Sequence, residues 1–133
     1  MKDDFKKIVK EIEKNTPRED IVSIVLFGSA VLSIEKAHDY DILVITKTYV
    51  KEWCNLAGKI RFNLMGKIDK PMDLIFVEED DLRFPSPFIY EVSQKYQLLS
   101  GKDVFIGIKS WLEREISPLY DEGGIKIGWK IAV

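Results

Sequence analysis

Leu26-Phe27-Gly28-Ser29 and, nine residues later, Asp39-Tyr40-Asp41-Ile42-Leu43-Val44-Ile45 decide how this chain is read. The apolar run Ile21-Val22-Ser23-Ile24-Val25-Leu26-Phe27 is a core strand, and Gly28-Ser29 breaks it. Ala30 to Lys36 can form a short helix, and Asp39 to Thr46 is a second strand that opens with two acids. Along a strand, residues i and i+2 share a face, so Asp39 and Asp41 project side by side. Two carboxylates held that close repel one another unless a cation lies between them. A third acid, Asp73, opens the apolar run Leu74-Ile75-Phe76-Val77, which gives a third strand from Met72 to Glu78. Three acids at strand starts, beside a Gly-Ser turn, predict a site for magnesium and a nucleotide.

The elements around this stretch follow from periodicity. Phe5, Ile8, Val9 and Ile12 recur at helical spacing and give an amphipathic first helix. Thr16-Pro17-Arg18-Glu19 has a capping-box pattern that predicts a short turn before the first strand. Thr48 is placed to cap a long helix in which Val50, Trp53, Cys54, Ala57, Ile60 and Leu64 share one face, with Cys54 read as a buried packing residue. Gly66 and Pro71 mark its end. Ser86-Pro87 starts another helix, expected to run to about Leu99 with Gly101 as its C-cap, and a further helix is expected from Ile108 to Ile116. In the tail, Ile125, Ile127, Trp129, Ile131 and Val133 alternate with Lys126, Gly128, Lys130 and Ala132, a one-faced strand. That strand is expected to add to the sheet; the alternative is pairing across a homodimer or docking a partner. The order predicts a small mixed α/β domain spanning 1–133, with a C-terminal extension from about 104.

Composition narrows the classes. A chain of 133 residues with 46% hydrophobic residues can bury a real core as one domain. A net charge of -2 gives no clear nucleic-acid signature. No apolar stretch approaches the ~20 residues needed to span a bilayer. The N-terminus carries both signs of charge and no signal-peptide pattern, so a cytoplasmic protein is expected. A single cysteine, Cys54, rules out an internal disulfide and a cysteine-cluster zinc site.

Nucleotidyl transfer is a reaction that such a constellation could serve. Such a reaction asks mainly for positioning and for neutralisation of phosphate charge. Magnesium takes oxygen ligands and keeps several waters, so two or three carboxylates suffice to hold it. In this reading Asp39 and Asp41 bridge two ions, and Asp73 holds the catalytic one and accepts the proton from the nucleophile. Asp69, Glu78 and Asp80 are the alternatives for that third position. Gly28 lets the backbone approach the phosphates, and Ser29 offers a hydroxyl and an N–H at a helix start. His38, beside the acids, reads as a solvated loop residue, and Lys59, Arg61 and Lys67 as a solvated helix face.

Leu26-Phe27-Gly28-Ser29, Asp39-Tyr40-Asp41-Ile42-Leu43-Val44 and Met72-Asp73-Leu74-Ile75-Phe76, in that order, resemble the minimal nucleotidyltransferases of the DNA polymerase beta-like superfamily. The resemblance covers about residues 1–100. It implies the nucleotidyltransferase fold, a short mixed β-sheet with helices packed mainly on one face. It also implies Asp39, Asp41 and Asp73 as catalytic metal ligands, Gly28 and Ser29 as nucleotide-binding residues, and ATP with Mg2+ as substrate and cofactor. Many members carry an arginine directly after Gly-Ser, where this chain has Ala30; often a serine precedes the first aspartate, where it has His38. Small stand-alone members resemble the antitoxin half of toxin–antitoxin pairs and add AMP to a tyrosine of a partner HEPN-type toxin. Two rivals remain: a non-catalytic partner-binding module on the same fold, which the missing arginine and the apolar tail favour, and a small-molecule transferase acting on an aminoglycoside.

Overall fold

The computed structural model describes residues 2–131. Helix α1 (Lys2–Asn15) leads through a 3-10 turn (Arg18–Asp20) into β1 (Ile21–Phe27), the short α2 (Ser29–Leu32) and β2 (Tyr40–Thr46). Then come α3 (Trp53–Leu64), β3 (Met72–Glu78), a second 3-10 turn (Glu79–Arg83), α4 (Pro87–Gln94) and β4 (Tyr96–Gly101). The chain closes with α5 (Phe105–Glu115), β5 (Ile116–Tyr120) and β6 (Lys126–Ile131).

Four strands form one mixed sheet in the order β3-β2-β1-β4. β1 runs antiparallel to both β2 and β4, while β2 and β3 are parallel. Parallel neighbours need a crossover, and α3 supplies it. Helices cover both faces of this sheet rather than mainly one, which corrects the expected arrangement. On one face Phe5, Ile8 and Ile12 of α1 and Ala57, Ile60 and Leu64 of α3 cover Ile24, Leu26, Ile42, Val44, Leu74 and Phe76. The opposite face carries a second cover, in which Ile89 and Val92 of α4 and Phe105 and Leu112 of α5 pack on Val25, Leu43 and Ile45. With both faces buried, the central strands read as continuous apolar runs.

Several expectations take a correction. The helix begun at Ser86-Pro87, where the Ser86 hydroxyl accepts from Ile89 N–H, stops at Gln94, and Tyr96–Gly101 is the edge strand β4. Gly101 is not a helix cap: its φ of 86° and its close approach to the Val22 carbonyl close the β1–β4 pair instead. Helix α3 starts at Trp53 rather than after Thr48, and Cys54 is exposed. At about 100° per residue, Cys54 lies a quarter-turn from the stripe of Ala57, Ile60 and Leu64, and Leu56 fills the partly buried place instead. Thr16 caps nothing; it is buried and its hydroxyl oxygen has no hydrogen-bond partner among the described residues. The tail strand does not join the main sheet: β6 pairs antiparallel with β5 in a separate two-stranded ribbon. The expected strand end at Val133 lies outside the described residues.

Candidate active site

The strands bring the three acids together at one end of the main sheet. Asp41 is the second residue of β2, and it stands in register with Asp73 of β3 on one side and Phe27 of β1 on the other. Asp39 lies just ahead of β2. Asp39, Asp41 and Asp73 each offer a carboxylate oxygen, and these oxygens lie within 4.8 Å of one another. The three side chains share the sheet face of Leu43 and Ile75, and the apolar cover of that face ends beneath them, where the Phe27 and Phe88 rings meet edge to face at 5.4 Å. Burial raises the Asp41 carboxyl to about 6, and the neighbouring charges of Asp39 and Asp73 add to the effect. The alternatives for the third acid fall elsewhere. Glu78 ends β3 at the far side of the sheet, Asp80 lies in the turn beyond it, and Asp69 presents its backbone to another residue.

Gly28 serves the acids as directly as it would serve a phosphate. Its φ of 76° and ψ of -157° suit glycine, and a Cβ built there would collide with Asp41 Oδ2 and lie 3.2 Å from its Cγ. The turn can therefore sit against the carboxylate only because it lacks a side chain. Ser29, exposed, opens the four-residue α2, with Ser33 N–H donating to the Ser29 carbonyl. Ala30, at the position where many relatives carry an arginine, is buried under the turn. His38, Lys59, Arg61 and Lys67 are all exposed.

One part of the site escaped the sequence reading. Tyr40, between the two acids, turns its side chain to the opposite face and is fully buried. Its hydroxyl donates to Asp4 Oδ2 at 2.7 Å, and its ring meets Phe5 edge to face at 5.2 Å. The same Asp4 oxygen accepts the Asp69 N–H at 3.0 Å, and the Tyr40 N–H donates to the Pro71 carbonyl at 2.9 Å. Burial works to raise the Asp4 carboxyl, yet the hydrogen bonds from Asp69 and Tyr40 hold it below its ordinary value. Burial, and then the Asp4 carboxylate, push the Tyr40 hydroxyl far above the usual range. The signal was present in α1, where Asp4 stands four residues before Ile8 and eight before Ile12, in the buried stripe. An acid there needs a partner.

Three crowded carboxylates beneath a glycine turn, on a mixed sheet, form an all-oxygen donor set of the kind that could hold a divalent cation. The family described as Polymerase beta, Nucleotidyltransferase matches residues 6–104, and the chain belongs to that family of nucleotidyltransferases. Among curated proteins, none matches the sequence. Solved structures share the fold. A toxin–antitoxin structure with AMP-PNP is 22% identical with a TM-score of 0.58, over 84% of this chain and 90% of that one. A chain of a structure described as a tri-AMPylated Shewanella oneidensis HEPN toxin in complex with MNT antitoxin is 22% identical with a TM-score of 0.57, over 86% of this chain and 92% of that one. The spectinomycin adenyltransferase AAD(9) of Enterococcus faecialis, solved with ATP and spectinomycin, has a TM-score of 0.60 at 13% identity, over 79% of this chain and 58% of that one.

Proposed function

We propose that this protein transfers a nucleoside monophosphate, AMP from ATP, to a hydroxyl acceptor in a magnesium-dependent reaction. The acceptor in this reading is a tyrosine of a partner HEPN-type toxin, which makes the chain an antitoxin. The convergence of Asp39, Asp41 and Asp73 within 4.8 Å is the observation that carries the reading. The donor set fits a hard divalent cation. It is all carboxylate oxygen, with Asp41 and Asp73 on adjacent strands and Asp39 just ahead of one of them. Burial, then the charges of Asp39 and Asp73, raises the Asp41 carboxyl to about 6. Bound there, magnesium would neutralise triphosphate charge and lower the pKa of the attacking hydroxyl.

The chain's own residues divide the rest of the work. Gly28 leaves the turn open to both the Asp41 carboxylate and a phosphate, and Ser29 offers its hydroxyl at the same turn. Asp73, exposed at the first residues of the edge strand, is the carboxylate most open to an incoming acceptor and to its proton. The antitoxin reading is supported by likeness to structures described as toxin–antitoxin complexes, one with an AMPylated HEPN toxin. Ala30 in place of an arginine favours the non-catalytic alternative. Three acids held in mutual repulsion favour the enzyme, since a bare binding module gains nothing from them.

Incubation with α-labelled ATP, GTP, CTP and UTP plus magnesium, alone and with a candidate HEPN partner, tests this. Label carried by the partner, strongest from ATP and lost in Asp39→Asn, is the expected result. No transfer, together with no nucleotide-dependent shift in melting, would overturn it.

A further inference from the structure

We infer that Asp4 and Tyr40 form a latch that sets the spacing of the three carboxylates, making Tyr40 and Asp4 positioning residues for the site. The inference rests on the metal-site reading above. The three acids repel, and β3, which carries Asp73, is the outermost strand with a neighbour on one side only. Repulsion therefore acts to splay the start of β3 away from β2. Three hydrogen bonds oppose it at that place. Tyr40 N–H holds the Pro71 carbonyl, two residues before Asp73, at 2.9 Å. Asp4 Oδ2 holds the Asp69 N–H at 3.0 Å and the Tyr40 hydroxyl at 2.7 Å. One buried carboxylate of α1 thus ties the residue between Asp39 and Asp41 to the loop that delivers Asp73. The two bonds to Asp4 are charge-assisted, and Asp4 is 5% exposed while Tyr40 is closed, so the Tyr40 hydroxyl bond is sheltered from water.

Tyr40→Phe removes one bond and keeps the ring against Phe5. Asp4→Ala removes both bonds to the carboxylate, and Asp4→Asn retains an acceptor oxygen. Ile12→Val, on the same helix and in the same core, is the control for general loosening. Two readouts separate positioning from stability: Mn2+ affinity by calorimetry, and hydrogen exchange of the amides around 39–41 and 69–73 in metal-free protein. Supporting residues around metal ligands are typically worth about 10–100-fold in affinity, so Tyr40→Phe and Asp4→Ala should each weaken Mn2+ at least tenfold. Both should also speed exchange at those two segments. Asp4→Asn should recover part of each loss, and Ile12→Val should change neither beyond its fall in melting temperature. Mn2+ affinity within twofold of the parent, with unchanged exchange in Tyr40→Phe and Asp4→Ala, would overturn the latch. If the parent itself binds no Mn2+, the metal reading falls while the exchange pattern alone decides the latch. If Tyr40→Phe fails to fold, the comparison of Asp4→Asn with Asp4→Ala decides in its place.

Discussion

The acid end of the main sheet and the C-terminal ribbon are both built from alternating or apolar strands, yet their side chains meet opposite fates. In β2 every residue but Asp41 is buried, and Asp41 itself is half-covered. In β6 none is buried, and Ile125, Ile127 and Ile131, with Leu119 and Tyr120 of the neighbouring segment, face solvent. The ribbon is held by little: Ile116 is buried at its root, Trp129 meets Tyr90 edge to face at 5.3 Å, and Lys126 pairs with Glu91. Apolar periodicity alone does not place a strand in a core. Hydrogen-bonded neighbours on both sides and a helical layer over the face do so, and β2 has both.

The sharpest way to break the comparison is to neutralise one of the proposed metal ligands. Asp39→Asn or Asp41→Asn should cut nucleotidyl transfer by at least about a thousandfold, because metal-assisted charge neutralisation supplies much of the rate. The same change should leave the metal-free fold intact, in contrast to any core substitution. Thermal melting without metal gives the sign. The Asp41 pKa rises from 3.8 to about 6 on folding, so its contribution to stability is complete below pH 3.8 and is lost as pH climbs through 6. Metal-free Asp41→Asn should therefore melt above the parent at pH 7.5, with the gap closing towards pH 4. A lower melting temperature at pH 7.5 would contradict the crowding. Metal affinity should run the other way, weakening as the pH falls below about 6, because the ligand must lose its proton.

Gly28→Ala comes next. It places a side chain at φ 76° and into Asp41, which should cost about 1–3 kcal/mol of stability and most of the transfer activity. Retained activity would show that the turn yields, measured simply by turnover with labelled ATP. Trp129→Ala in the ribbon should cost less, about 1 kcal/mol, since the half-buried ring loses its edge-to-face contact with Tyr90 and the Lys126 ammonium over its face. Nucleotide-linked stabilisation should survive it, and loss of that linkage would show that the ribbon belongs to the site. Cys54→Ser should change neither melting nor transfer, as the thiol is exposed.

The acids and the glycine were readable because their spacing is covalent. Two-residue spacing beside a strand start was enough to bring Asp39 and Asp41 together, although β2 begins at Tyr40 and leaves Asp39 just outside it. Gly28 marks the break after the apolar run of β1. β4 was not readable: Tyr96 to Gly101 follows a helix without a glycine or proline between them, and its burial is mixed, so it carries no strand period. Cys54 was misplaced by neglecting the rotation per residue. The ribbon was seen as a strand but assigned to the wrong sheet, because its partner β5 contains Pro118 and reads as a helix end. The latch was hidden for a different reason. A hydrogen bond from Tyr40 to Asp4 spans 36 residues, and no local pattern announces it.

The parallel pairing of β2 with β3 has a consequence for the order of events during synthesis. Asp39 and Asp41 can be folded against β1 through a short antiparallel connection, but Asp73 arrives only after α3 has been made and has crossed back. Contacts of that sequence separation form late. A nascent chain ending before Asp69 holds two of the three carboxylates and an Asp4 that still lacks the Asp69 N–H. The carboxylate cluster is thus completed by the last strand of its half of the sheet, so a stalled or truncated product carries the first two acids without the third.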